Sequence, residues 1–193
     1  MTDRLTAQFA FLDEIDRLKG VLRATPIGDN SRRENSAEHS WHIAMYALVL
    51  ADQAGPDVRI DRVLQMLLLH DIVEIDAGDM PIHLAHDAAE QAAKEEAAAD
   101  RLFGLLPAEQ AAMFRALWDE FEAAESPDAV FAKSLDRVQP LLQNHASGGG
   151  SWIDYDVTLD QIDSRVGAKV KRGAPNVWDF VRARVAPFFD RSA

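Results

Sequence analysis

The run VLQMLLLHDIVEI, residues 63–75, is apolar on nearly every side of a helical projection. Such a helix must be covered on most of its faces, so it needs several neighbours of its own kind. The sequence supplies them. Leu5, Phe9, Leu12, Ile15 and Leu18 recur at three- and four-residue steps, the pattern of one helical face, and Gly20 or the TPIGDN stretch ends that helix. A second helix is predicted to open at NSAEHS, where Asn35 can cap and Glu38 stands three residues later as in a capping box. Its buried stripe reads His39, Ile43, Ala47, Leu50 and ends at AGPD. A third helix is predicted from Asp61 to Ile75.

Three more helices follow from DAAEQAAKEEAAADRLFG, PAEQAAMFRALWDEFEAAE and SPDAVFAKSLDRVQPLLQNH, the last with Pro127 suited to a first helical turn. ASGGGSW reads as a flexible loop with no tendency to order. TLDQIDSRVGAKVKR and PNVWDFVRARVAPFF read as two closing helices, covering about residues 158–190. The alanine-rich acidic stretch 87–100 reads as a solvated helical face. No alternating strand pattern of useful length occurs. The expectation is one all-α domain over residues 1–193, a helical bundle without repeats.

Composition narrows what such a bundle can do. A formal net charge of −12 argues against a general nucleic-acid binder, since phosphate backbones attract basic surfaces. A small anionic ligand stays open, because a few arginines or a metal can override the global field. With no cysteine, disulfides and thiolate metal sites are excluded. The opening MTDRLTAQFAFLDEIDRL has acids among its apolar residues, unlike a signal peptide. The longest apolar run falls well short of the roughly 18 residues that a membrane span requires. The expected protein is soluble and cytoplasmic, with no membrane or nucleic-acid partner.

The chemistry lies in the apolar run 63–75. A histidine–aspartate pair inside an apolar helix is costly unless a partner or a metal compensates it. Helical spacing puts Glu74 four residues from His70 and three from Asp71, on a shared side. His39 belongs to the apolar stripe of its own helix, and Asp136 sits among leucine and valine in SLDRVQPLL. Each has a plainer explanation taken singly. A lone histidine on an apolar face is commonly a satisfied core residue, and Asp136 could pair with Lys133 or Arg137. Together, two imidazoles and two carboxylates on three helices would suit a borderline divalent ion such as manganese, cobalt, iron, nickel or zinc.

ENSAEHS, then HDIVEIDAGDMP, then KSLDRV resembles the HD-domain phosphohydrolases, and most closely the branch typified by bacterial 5′-deoxynucleotidases. The H…HD…D pattern is spaced by 31 and then 65 residues, and the E-x-x-x-G-D extension after the HD pair points to that branch. The likeness covers about residues 5–145. It implies that His39, His70, Asp71 and Asp136 hold one divalent metal ion. It further implies that Glu74 orients or deprotonates the attacking water, and that Asp79 is a second essential carboxylate near the leaving sugar oxygen. Arg23, in LKGVLRATPI, matches an arginine that grips the substrate phosphate. The implied reaction is hydrolysis of a deoxyribonucleoside 5′-monophosphate to the nucleoside and phosphate by a homodimer. Another nucleotide (a triphosphate, cyclic nucleotide or alarmone) is the alternative substrate, and a non-catalytic nucleotide-binding module is the alternative class.

Other residues carry less. His42 follows His39 by three and could reach the same pocket or serve behind it. His83 and His86, after the G-D-M-P turn, could bind a second ion, although the resembled branch is mononuclear. His145 borders the glycine loop and is expected on the surface. Arg32 and Arg33 could help bind an anion. Trp41 could stack on a base, or serve as core or as an interface anchor.

Overall fold

The computed structural model of the chain describes residues 2–84 and 87–190. Helix α1 (Thr2–Ile15) runs into a 3-10 turn at Asp16–Gly20, and a short antiparallel hairpin follows, β1 (Leu22–Pro26) with β2 (Arg33–Asn35). Then come α2 (Ser36–Val49), α3 (Ile60–Leu69), the 3-10 turn His70–Val73 and α4 (Glu74–Ala77). The second half holds α5 (Ala88–Phe103), α6 (Ala108–Ala123), α7 (Pro127–Ala146), α8 (Ser151–Asp154) and α9 (Leu159–Gln161). A π-helical segment, Ile162–Gly167, leads into α10 (Ala168–Gly173), and α11 (Pro175–Asp190) closes the bundle. The fold is mostly all-α, as expected, with the two-stranded hairpin as its one departure among the described residues.

Local rules account for the helix starts. Asn35 accepts from the Glu38 amide at 3.0 Å and Glu38 reaches back to the Asn35 amide at 3.3 Å, which completes the expected capping box on α2. Ser126 caps α7 with Pro127 in its first turn. Helices α3 and α7 form the spine, each packed against α2 and α6, and α7 also against α10 and α11. Val63, Met66 and Leu67 of α3 are fully buried, as are Phe131, Ala132 and Leu135 of α7. The apolar helix therefore sits in the middle of the bundle, as its sequence requires. It does not continue smoothly to Ile75, however. It tightens into a 3-10 turn at His70, and that change of pitch re-aims the side chains of the turn.

Two further expectations are corrected. Leu5, Phe9 and Leu12 of α1 lie more than half exposed, while Phe11 and Leu18 take the buried places. Periodicity revealed an apolar stripe, but the fold covers a different face. The glycine loop is an ordered turn: Asn144 Oδ1 accepts from the Ser151 amide at 2.8 Å, and Gly148, Gly149 and Gly150 all adopt positive φ. Gly150 also lies where a Cβ would meet Asn144 and Pro26 at under 3 Å. The closing helix α11 buries Val177, Trp178, Val181 and Val185 in the core, while Phe180 stays outside.

Candidate metal centre

The hairpin, the α3–α4 junction and α7 line one small cavity of about 170 Å³, and α2 packs against the same elements. Asp71 of the 3-10 turn and Asp136 of α7 line it, and behind them α2 brings His39 and the turn brings His70. One nitrogen from each imidazole and one Asp136 oxygen lie within 4.8 Å of one another. His39 Nε2 is 3.0 Å from Asp136 Oδ1, and His70 Nε2 is 2.9 Å from Asp71 Oδ1 and 3.8 Å from Asp136 Oδ1. Both histidines are buried. Asp71 stands at the edge of this group, its other oxygen accepting from Arg23 Nη1 at 2.8 Å.

The other nitrogen of each ring is already used. His70 Nδ1 donates to the Leu67 carbonyl at 2.9 Å, and His39 Nδ1 donates to Gln139 Oε1 at 3.0 Å. Each Nε2 lone pair is thereby turned toward carboxylate oxygens, an arrangement that only a proton or a cation between them can stabilise. His70 Nε2 is buried without a hydrogen-bond partner. Without a cation, protons take that role. Burial disfavours the charged His70 ring, yet Asp71 and Asp136 outweigh it and hold the pKa up at about 10. His39 is raised in the same sense, against burial and Arg23, by Asp136 and Glu34. Burial would raise Asp136, but the hydrogen bond from His39 and the neighbouring His70 charge hold it well below the usual carboxylate range. Two neutral imidazoles and two carboxylates therefore fit a divalent cation in charge and donor type.

Arg23 reaches the cavity because the hairpin carries it there. It is hemmed in by acids, with Nη1 at 3.7 Å from Glu74 and 3.6 Å from Asp79, and Nε at 3.9 Å from Glu34. Its guanidinium pKa is raised, since Asp71, Glu74 and Asp79 together outweigh burial. Glu74 is held well above the ordinary range, by burial first and then by the Asp71 charge, although the Ser36 hydroxyl donates to it at 2.5 Å. Burial likewise raises Asp79, which accepts from the Ala24 amide at 3.3 Å. All seven residues singled out in the sequence thus line or border one pocket.

Sequence reasoning missed the support behind them. Glu34 is 2% exposed, and its Oε1 accepts from Gln139 Nε2 at 2.8 Å and from Gln143 Nε2. Its Oε2 is 3.6 Å from His39 Nδ1. The available signal was spacing, since Gln139 and Gln143 fall three and seven residues after Asp136 on the same helix. His42 does not enter the cavity; its Nδ1 accepts from Gln139 Nε2 at 3.2 Å from behind. His83 lines the cavity, whereas His86 lies outside the described residues. His145 is half-buried rather than on the surface. Arg32 and Arg33 turn outward, to Glu38 at 2.7 Å and Asp154 at 2.6 Å. Trp41 is 63% exposed, which excludes a core role and places it away from the pocket.

Residues 15–178 match the family model described as HD domain. Human 5′-deoxynucleotidase HDDC2 is 31% identical over 134 residues, 69% of this chain, and the match spans 64% of that relative's length. The 5′-deoxynucleotidase yfbR of Photorhabdus temperata is 32% identical over 169 residues, covering 82% of this chain and 84% of that one. A crystal structure described as a "Predicted metal-dependent phosphohydrolase from Magnetospirillum magnetotacticum MS-1" superposes with a TM-score of 0.91 at 49% identity, covering 98% of this chain and 97% of the other.

Proposed function

The chain belongs to the HD-domain family, and on that premise we propose that it is a metal-dependent phosphohydrolase converting deoxyribonucleoside 5′-monophosphates to deoxyribonucleosides and phosphate. The observation that carries this reading is the pair of imidazole Nε2 atoms aimed at Asp136 and Asp71, with a buried arginine beside them. In the proposal His39, His70, Asp71 and Asp136 hold one divalent ion. When bound, the ion supplies Lewis acidity toward the phosphoryl oxygens and lowers the pKa of water.

The chain's own groups do the rest. Arg23 offers a planar fork of donors to the phosphate oxygens, which suits a tetrahedral anion better than a lysine would. Glu74, oriented by Ser36, takes the proton of the attacking water as the new O–P bond forms. Asp79, 3.6 Å from Arg23 on the cavity wall, protonates the 5′ oxygen as its bond to phosphorus breaks. Water thus adds its oxygen to phosphorus and the nucleoside leaves as the alcohol. The 5′-deoxynucleotidase relatives support the substrate class.

The reading extends to a cytoplasmic homodimer. No helix among the described residues is long and apolar enough to cross a membrane. Exposed Met45 and Val49 of α2 and Phe180 of α11 line an apolar groove on the face away from the catalytic cavity. Light scattering at micromolar concentration tests the dimer, and a monomeric mass would reject it. For the site, His70→Ala and Asp71→Ala are expected to lose both bound metal and phosphate release. Either variant keeping full metal content and activity would overturn the assignment.

A further inference from the structure

Arg137 directly follows Asp136 on α7 and lines three adjoining spaces. One is the catalytic cavity, one is a cavity of about 140 Å³ between α7 and α10, and one is a cavity of about 550 Å³ toward α5 and the π segment. Its Nε is buried and without a hydrogen-bond partner. Arg165 and Lys169, four residues apart, line the largest of these spaces and are both exposed. No ion pair neutralises Arg137, Arg165 or Lys169 among the described residues, whereas nearby Lys133 is paired with Glu122 at 2.9 Å. Among the described residues the one carboxylate on the wall of the largest space, Glu95, accepts from Gln91 at 2.9 Å. Arg137, then burial and Lys133, push the Lys169 ammonium below its ordinary value, so these cations lie close enough to repel one another. A chain of net charge −12 has gathered uncompensated positive charge at the mouth of its catalytic cavity.

The backbone there is also unusual. Ile162–Gly167 is π-helical, a conformation that is rare and often found at functional sites. It places Val166 on the wall of the catalytic cavity and Ser164 and Arg165 on the wall of the adjoining one. The tight wrap depends on Gly167, where a Cβ would stand 2.3 Å from Trp178.

We propose that Arg137, Arg165 and Lys169 form an accessory phosphate site that binds a second phosphate group beside the one at the catalytic cavity. That group is either carried by a doubly phosphorylated nucleotide or is free inorganic phosphate. Two arginines and a lysine offer charge-assisted donors to such a group, and binding it relieves their mutual repulsion. The inference rests on the phosphohydrolase reading only for the identity of the first phosphate.

The test is calorimetric titration of the metal-loaded full-length protein with inorganic phosphate at constant ionic strength. The wild type is expected to bind two phosphates per chain, and the double variant Arg165→Gln/Lys169→Gln one. A single phosphate on the wild type, or equal stoichiometry in both proteins, overturns the proposal. Kinetics then separates the two sources. A KM about tenfold lower for a deoxynucleoside 3′,5′-bisphosphate than for the 5′-monophosphate, lost in the double variant, identifies a substrate-borne group. Equal KM values, with a phosphate effect on turnover that the variant lacks, identify the free anion. Failure of the nucleotidase reading would show separately, as no release from either nucleotide, and would leave the binding stoichiometry to decide.

Discussion

Gln139 Oε1 lies 3.0 Å from His39 Nδ1, and the same amide donates through Nε2 to buried Glu34. One glutamine therefore fixes the tautomer of a candidate ligand and anchors the carboxylate that faces Arg23. The metal side and the phosphate side of the pocket are joined behind the reacting groups.

Cutting that joint should be felt at the metal. Gln139→Leu keeps the approximate volume but leaves His39 Nδ1 without its acceptor and Glu34 with Gln143 as its remaining amide donor. Metal affinity is expected to fall by about 10- to 100-fold. Competition against a chromophoric chelator measures it, and unchanged affinity would show that the network is incidental.

Metal binding should release protons. With His70 held up at about 10 in the metal-free protein, its ring carries a proton at neutral pH that the ion must displace. Calorimetry at pH 7.5 in buffers of different ionisation enthalpy is expected to show net proton release, with affinity rising as pH rises. Heats independent of the buffer would contradict it.

The same shift sets the stability of the metal-free protein. The folded pKa of His70 is raised above its ordinary value of 6.5 to about 10. Its stabilising contribution is then complete below about pH 6.5 and lost as the pH climbs through about 10. The melting temperature of metal-stripped protein is expected to drop across that window, and Asp71→Asn should blunt the drop. A flat profile would contradict the electrostatics described for the site.

Glu74→Gln and Asp79→Asn separate chemistry from binding. Each retains the four candidate ligands and removes one proton-handling carboxyl. The value of kcat is expected to fall by about 10²- to 10⁴-fold at full metal occupancy, since that is the usual worth of a general acid or base. A change confined to KM would reassign the residue to substrate binding.

Packing offers a test away from the pocket. Gly167→Ala forces a methyl group against the Trp178 ring, 2.3 Å from its nearest atom. Overpacking of this kind costs about 1–3 kcal/mol, measured by chemical denaturation. A neutral effect would mean that the π segment can relax.

The sequence exposed the parts of this protein that obey a period. The buried α3 run, the Asn35–Glu38 box and the His39–Ile43–Ala47 stripe were legible because helical geometry repeats them. His70, Asp71 and Asp136 were legible because charge inside an apolar run needs a reason. The hairpin was not, since Leu22–Pro26 and Arg33–Asn35 are too short for alternation to show and the pairing is non-local. Glu34 was hidden for a different reason. It stands beside Arg32 and Arg33 in a charged stretch, and only the approach of Gln139 and Gln143 from over a hundred residues away buries it. Leu5, Phe9 and Leu12 show the converse, an apolar stripe whose periodicity could not say whether this fold covers it.

The most direct measurement is phosphate release by metal-stripped protein with single divalent ions restored, across 5′-deoxynucleotides, 5′-ribonucleotides, triphosphates and cyclic nucleotides. Activity is expected to return only with an ion such as manganese, cobalt, iron, nickel or zinc, and to be concentrated on the deoxyribonucleoside 5′-monophosphates. Release confined to triphosphates or cyclic nucleotides would contradict the substrate, and no release with any ion would contradict the catalytic reading of the site itself.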